Sequence, residues 1–314
     1  MLEALAIVLN QPRGLTLSRL PVTPPEDDDV VIATRWSGVS TGTERLLFTG
    51  RMPDFPGMGY PLVPGYETIG EIVEAKPETG FRVGQTVFVP GAKCFGPVRS
   101  LFGGAASLLT TKASRIVGLP ASLGEQGVLL ALAATAYHAR GDMAPGAGDL
   151  VVGHGVLGRL LARLCALAGG EPPTVWELNP ARAGGALGYA VVSPENDPRR
   201  DYRRIFDVSG APAILDQLIA RLAPGGEIVL AGFYEAPLAF DFPPAFLREA
   251  RIRVAAQWHP KDLPAVTRLV EDGRLEFGGL VTHRRSFRDA EHAYPTAFDD
   301  PTCLKMVLDW RDAA

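Results

Sequence analysis

The clearest chemical signal in the chain is the run Gly153-His154-Gly155-Val156-Leu157-Gly158, which fits GxGxxG. That pattern alone is weak, but its setting strengthens it. Apolar Leu150-Val151-Val152 precedes it as an expected strand, and a helix is expected over Val156–Ala168, stopping at Gly169-Gly170. Glycines at 153, 155 and 158 would let the main chain approach a pyrophosphate. A helix start carrying Val156 and Leu157 would offer it unpaired N–H groups and a positive dipole end. Glu177 closes the next expected strand, 19 residues after Gly158, the spacing of an acid that binds adenosine ribose hydroxyls. These residues predict a bound dinucleotide. A carboxylate at 177 would repel a 2′-phosphate, which favours NAD. Arg182 lies near enough in sequence to meet such a phosphate, so NADP stays open as a second reading. His154, between two glycines, reads as a tolerated surface residue.

The elements that must position this run alternate. Beyond a helix expected over Gly124–Arg140, strands are expected at Leu150–Val152, Thr174–Glu177, Ala190–Val192, Arg204–Val208, Glu227–Gly232 and Ile252–Gln257, with a helix at Pro212–Leu222. Strands spaced by helices imply a parallel sheet covered on both faces. Residues 1–123 read differently. They are rich in Gly and Pro, with short strand-like runs at Leu5–Leu9, Val30–Trp36, Thr68–Glu74 and Thr86–Val89, as in a mainly antiparallel β domain. From Trp258 two helices, Asp262–Glu271 and Ala290–Phe298, and a strand at Lys305–Asp309 are expected to return to the first domain. The divisions are therefore 1–123, 124–257 and 258–314.

Bulk properties narrow the partners. The chain has 314 residues, 46% hydrophobic and 21% charged, with net charge −4. That is the composition of a globular protein and argues against a nucleic-acid partner, which would call for a basic face. Cys94, Cys165 and Cys303 are three widely spaced thiols with no CxxC pair, which suits a reducing cytoplasm. The N-terminal MLEALAIVLNQPRGL carries Glu3 and is apolar for too few residues to be a signal peptide. No run approaches the about 20 apolar residues of a membrane span.

Several motifs outside the glycine run share one resemblance. Leu62–Gly70 (LVPGYETIG), Gly84–Val89 (GQTVFV), Ala133–Ala139 (AATAYHA), Phe206–Gly210 (FDVSG) and Pro224–Gly232 (PGGEIVLAG) resemble motifs of the medium-chain dehydrogenases/reductases over nearly the whole chain. The resemblance implies an α/β fold: a Rossmann doubly wound parallel sheet plus a GroES-like, mainly antiparallel β catalytic domain, with the substrate cleft between them. It also implies that Thr135 lies beside the nicotinamide. Three positions depart from the family's zinc site. Ser40 in Gly38-Val39-Ser40 stands for a thiolate, Tyr66 in Gly65-Tyr66-Glu67 stands for an imidazole, and Leu129–Ala134 contains no ligand. A catalytic zinc needs three protein ligands, and Glu67 alone cannot hold it, so no metal is expected.

Other groups must then meet the developing oxygen charge. Hydroxyl donors can supply part of what a metal would. Ser40, Thr41, Thr43 and Tyr66 are the candidates, beside Glu67. Ser40 and Thr43 could equally cap a turn, and Tyr66 could be a core ring. As a base Tyr66 would need a cation nearby, and Arg45 or Lys93 could serve. His138 is a second candidate proton acceptor by its ordinary pKa, or a structural residue. The stretch Phe48–Tyr60 is dense in Phe, Met, Gly and Pro. Phe48, Met52, Phe55 and Met58 could form an adaptable surface for a large flat substrate, or pack a long loop. Arg45 and Arg51 flank it and could meet a substrate carboxylate.

The stretch Ser40–Glu67 and the C-terminal LKMVLDW further resemble the branch of that family that works in bacteriochlorophyll biosynthesis. This resemblance implies oxidation of the hydroxyethyl side chain of a magnesium tetrapyrrole to acetyl, with NAD as cofactor. It also implies a homodimer and at most peripheral association with photosynthetic membranes. A zinc-independent NADPH quinone or enone reductase and a non-catalytic pigment carrier are the alternatives.

Overall fold

The computed structural model describes residues 2–54, 56–141 and 146–313, with side chains at 146 and 147 left aside. The chain forms two units: Met1–Ala131 with Leu280–Ala314, and Leu132–Gly279. The C-terminal return therefore begins at Leu280, and residues 258–279 stay with the nucleotide unit rather than leaving it at Trp258.

In the first unit the long strand Asp29–Val39 organises everything else. It pairs antiparallel with Thr68–Ala75, with Leu108–Lys112 and with Met306–Asp309. Its β-branched residues Val30, Val31 and Ile32 are all buried, as expected of a central strand. A hairpin of Glu3–Gln11 with Gly14–Pro21 stands apart from this sheet. Met306 lies opposite Val39 and Asp309 opposite Trp36, and this register carries the preceding residue, Lys305, to the end of the central strand. The short helix Thr43–Thr49 follows that strand immediately and ends on left-handed Gly50. It was not expected, since seven residues flanked by glycines give little periodicity, and so short a helix depends on tertiary packing.

In the second unit six parallel strands run in the order Ala190–Val192, Thr174–Trp176, Leu150–Val152, Tyr202–Asp207, Leu222–Leu230 and Arg251–Val254. Counted along the chain this is the order 3-2-1-4-5-6. Its direction reverses beside Leu150–Val152, where such sheets bind ligands at the strands' carboxyl ends. Trp176, Tyr202, Ile205, Leu218 and Ile228 are among the buried residues of one face. Two expected helices differ from the structure. Gly124–Arg140 is broken into a 3-10 segment, Ala121–Leu129, and the α-helix Leu130–Arg140, with Gly124 in a non-helical conformation. Pro212–Leu222 shrinks to Leu215–Ile219, because Leu222 already pairs with Tyr202 and starts the next strand.

Candidate active site

Two neighbouring strand ends build the first part of the site. Strand Asp29–Val39 delivers Ser40, and the turn before strand Thr68–Ala75 delivers Tyr66 and Glu67. The Gly38 N–H donates to the Glu67 carbonyl at 2.8 Å and locks the two ends together. The Ser40 and Tyr66 hydroxyls share a hydrogen bond of 2.7 Å, and Thr43 opens the helix Thr43–Thr49 that follows Ser40. The Tyr66 ring meets Phe102 edge-on, with centroids 4.9 Å apart. Burial pushes the Tyr66 phenol well above its ordinary value, and the charges of Glu67 and Glu44 push it further. Arg45 and Lys93 are both exposed, and the charged groups that act on Tyr66 are acidic. The cation expected to make Tyr66 a base is therefore not at work, and Tyr66 acts as a neutral hydroxyl.

Beneath this pair lies a charged layer of widely separated residues. Lys305 Nζ is 2.6 and 2.9 Å from the two oxygens of Glu67 and 3.3 Å from the Val39 carbonyl. Both side chains are essentially inaccessible to solvent. Gly38 makes room for this pair, because a Cβ there would sit 2.1 Å from Glu67 Oε2. Glu44, in the first turn of helix Thr43–Thr49, accepts from the Ser40 N–H at 3.1 Å and from the Tyr294 hydroxyl at 2.9 Å. Burial pushes the Glu44 carboxyl up to about 7, helped by the charge of Glu67. Burial also raises Glu67, while Lys305 pulls it down.

Glu44, Tyr294 and Lys305 were not among the expected site residues. Lys305 did leave a trace: a lone lysine before the apolar Met306-Val307-Leu308 implies a buried partner, because an unpaired ammonium there would be too costly.

Among the described residues no three His, Cys, Asp or Glu side chains gather as a metal-holding group. Ser40 and Tyr66 bond to each other where the family would place ligands, and Ala131 offers only a methyl group. A catalytic zinc does not fit these residues.

The apolar stretch after the helix is less free than its composition suggests. Phe48 is buried in the core, 6.1 Å from the Tyr294 ring and 5.5 Å from Phe298, so it cannot be an open substrate surface. Met52, Met58 and Tyr60 pack partly buried on the same cluster, and the Tyr60 hydroxyl donates to the Leu47 carbonyl. Phe55 lies outside the described residues. Arg45 is exposed, as is Arg51, whose Nε donates to Thr49 Oγ1 at 3.2 Å.

In the second unit the glycine run joins strand Leu150–Val152 to helix Val156–Leu167, with Gly155 as its N-cap. Gly158 must lack a side chain, since a Cβ would lie 1.9 Å from the Gly153 carbonyl oxygen. A Cβ on Gly155 would meet nothing within 4 Å, and the first-turn N–H groups of Val156 and Leu157 precede the helical ladder. An open approach to main-chain donors fits a pyrophosphate.

Glu177 follows its strand and accepts from the His154 N–H at 2.9 Å and from the Asn179 N–H at 2.7 Å. His154 is not a surface residue. It is fully buried, with Nδ1 2.7 Å from the Arg182 carbonyl and Nε2 2.9 Å from the Tyr189 hydroxyl. Thr135 and His138 share the helix Leu130–Arg140. His138 Nδ1 is held 3.0 Å from buried Asp262, and its ring stacks on His259 at 4.3 Å. The expected catalytic set thus divides between the units: Ser40, Thr43, Tyr66 and Glu67 belong to the first, and His138, with the expected cofactor residue Thr135, to the second.

Comparison with known proteins agrees with this fold. The alcohol dehydrogenase GroES-like domain matches residues 26–128. A solved dehydrogenase from Sinorhizobium meliloti bound to NADP superposes with a TM-score of 0.83 at 18% identity, covering 98% of this chain and 100% of that one. Acetophenone reductase from Geotrichum candidum in complex with NAD gives 0.83 at 19%, covering 99% of this chain and 98% of that one. These two share the fold. The 2-desacetyl-2-hydroxyethyl bacteriochlorophyllide A dehydrogenase of Rhodobacter capsulatus is 55% identical over 313 residues, 99% of this chain and 100% of that protein. With that identity over nearly its full length, the chain belongs to the 2-desacetyl-2-hydroxyethyl bacteriochlorophyllide A dehydrogenases, a branch of the medium-chain dehydrogenases/reductases.

Proposed function

We propose that the protein oxidises the hydroxyethyl side chain of a magnesium tetrapyrrole to an acetyl group without a catalytic metal, and that NAD receives the hydride. The observation that carries the mechanism is the Ser40–Tyr66 hydroxyl pair, joined at 2.7 Å where the family would place metal ligands. The reacting carbon is attached to a conjugated macrocycle, so the product ketone is conjugated and hydride leaves more readily than from a simple alcohol. The demand on the protein falls accordingly. In the Ser40–Tyr66 pair one hydroxyl donates to the other, and the one whose proton is left free donates, with Thr43, to the substrate oxygen and stabilises its developing charge. With its pKa raised, Tyr66 stays protonated overall, and the substrate's hydroxyl proton is relayed through the shared hydroxyl chain to solvent water, which is the final acceptor. Lys305, Glu67 and Glu44 hold the two strand ends, and hence the hydroxyls, in place.

Gly153, Gly155, Val156, Leu157 and Gly158 hold the pyrophosphate through the main chain, with Thr135 assigned to the nicotinamide side. The bound nicotinamide supplies the hydride acceptor. Solved proteins of this fold carry NAD or NADP, so the fold does not choose between them. Glu177 supports NAD, because its carboxylate is fixed beside the loop by two N–H groups and would repel a 2′-phosphate. Arg45 and Arg51, with Met52, Phe55 and Met58, are assigned to the pigment, and His138, oriented by Asp262, to proton handling on the nucleotide side.

A homodimer is supported by the open edge strand Arg251–Val254, where Val254 is 72% exposed, and by exposed Phe242, Phe246 and Leu247 nearby in sequence. Among the described residues no helix is long and apolar enough to cross a membrane. Any membrane association would then be peripheral.

The test mixes purified protein, NAD and hydroxyethyl bacteriochlorophyllide. The expected result is a shift of the long-wavelength pigment band together with NADH formation. An unchanged band overturns the substrate assignment, and activity with NADP alone overturns the cofactor choice.

A further inference from the structure

His154 occupies a position in the glycine-rich loop that faces away from solvent, and each of its polar groups reaches a different partner. Its N–H donates to Glu177 Oε2 at 2.9 Å, and its carbonyl accepts from Arg159 Nε at 3.0 Å. Nδ1 lies 2.7 Å from the Arg182 carbonyl, which can only accept, so Nδ1 carries the proton. Nε2 is then the acceptor for the Tyr189 hydroxyl at 2.9 Å, and the tyrosine ring stands edge-on to the imidazole with centroids 5.6 Å apart. Arg159 Nη2 joins the same Arg182 carbonyl at 2.9 Å. Two buried side chains from the glycine loop and its helix therefore converge on a single carbonyl of the segment that follows Glu177.

That segment, residues 177–189, buries little apolar surface. Its one regular element is the 3-10 turn Pro180–Arg182, and Ala181, Ala183, Gly184, Gly185, Leu187 and Gly188 are exposed. A chain with so little apolar burial is placed by its hydrogen bonds.

We propose that His154 is a positioning residue for the cofactor, fastening the ribose-recognition segment 177–189 to the pyrophosphate loop and thereby setting dinucleotide affinity. The proposal rests on the nicotinamide-cofactor reading above. The N–H and both ring nitrogens of His154 are engaged within the protein, so it is assigned an indirect role. Its side chain acts through Arg182 and Tyr189, whose segment it pins, while its main-chain N–H, which every variant keeps, holds the Glu177 carboxylate. Buried imidazole is used here because it bonds at both ends in its neutral form, and burial together with Arg159 and Arg163 keeps it neutral by lowering its pKa.

The experiment titrates NADH into wild type, His154→Ala, His154→Asn and Tyr189→Phe by fluorescence, with turnover and hydrogen exchange measured on the same samples. His154→Ala is expected to raise the NADH Kd and the NAD KM at least about tenfold while kcat falls less than about threefold, the split expected when ground-state binding is lost. Inhibition by ADP-ribose should weaken by the same factor. Amides in 179–189 should exchange faster, with the parallel strands unchanged. Asparagine retains an N–H for the Arg182 carbonyl and should recover part of the affinity, and Tyr189→Phe should show a smaller loss. A wild-type protein that binds neither NADH nor NADPH overturns the cofactor reading, and this proposal with it. Normal wild-type binding with an NADH Kd for His154→Ala within about twofold of wild type, or exchange accelerated throughout the unit rather than in 179–189, overturns the role of His154 alone.

Discussion

The two sites bury charge in opposite ways. Around the hydroxyl pair, Glu44 and Glu67 share one buried cation, Lys305. Around the glycine loop, buried Arg159 and Arg163 bond carbonyl oxygens, and the imidazole between the glycines is held neutral. The first arrangement has acid to spare and the second has cations satisfied by dipoles. A site that must stabilise a developing oxyanion works with neutral hydroxyls over an ion pair. A site that must receive a pyrophosphate keeps its donors in the main chain and its cations behind the loop. The contrast also sets opposite responses to pH. Burial raises Glu44, so alkali works against the first unit. Burial lowers His154, so acid works against the second.

The harshest way to break the comparison is to remove its single shared cation. Lys305→Met leaves Glu67 buried and unpaired and should cost about 3–5 kcal/mol in chemical denaturation. Adding Glu67→Gln should recover a substantial part of that loss. If Lys305→Met melts like wild type, the ion pair is not what holds the strand ends.

Next in size is the chemistry. Tyr66→Phe or Ser40→Ala should lower kcat by about 10²- to 10³-fold, as for loss of one oxyanion donor, and leave the NADH Kd unchanged. Full turnover in both variants would remove the hydroxyl pair from the mechanism, and a zinc ion found in the active protein would replace it.

The pH contrast is sharper but smaller. Glu44 binds its proton more tightly folded, at about 7, than at its ordinary 4.5. Its stabilisation is complete below the ordinary value and is lost as pH rises through the folded one, at most about 1.4 kcal/mol per pH unit. The wild-type Tm should therefore fall between these two values, and Glu44→Gln should flatten that fall. An equally steep fall in the variant would place the titration elsewhere. The smallest effect is expected at the cofactor end. Glu177→Ser should narrow the preference for NADH over NADPH by about tenfold in paired titrations. An unchanged ratio would show that Glu177 serves only to hold the loop.

The glycine loop was legible in the sequence because the function proposed for it lies in the main chain. Gly153, Gly155, Gly158 and the strand before them are contiguous, and the free N–H groups follow from the helix start itself. The loss of metal ligands at Ser40 and Tyr66 was legible for the same reason, since it needs only residue identity in a local frame. Phe48 was misleading: an aromatic in a Gly- and Pro-rich stretch looks exposed until helix Thr43–Thr49 turns it into the core against Tyr294 and Phe298. His154 misled in the same direction, because its burial depends on a segment more than twenty residues later folding back over it.

By itself, then, the sequence determined the residue types of both sites: glycines at 153, 155 and 158 between a strand and a helix, and a dehydrogenase frame carrying hydroxyls instead of metal ligands. Only the tertiary structure decided which side chains sustain those sites. Glu44 and Tyr294 are 250 positions apart and Glu67 and Lys305 are 238 apart, and no local pattern couples residues at such distances. Strand register brings Lys305 to the end of Asp29–Val39, and burial then turns ordinary acids and an ordinary lysine into a network whose members must satisfy one another.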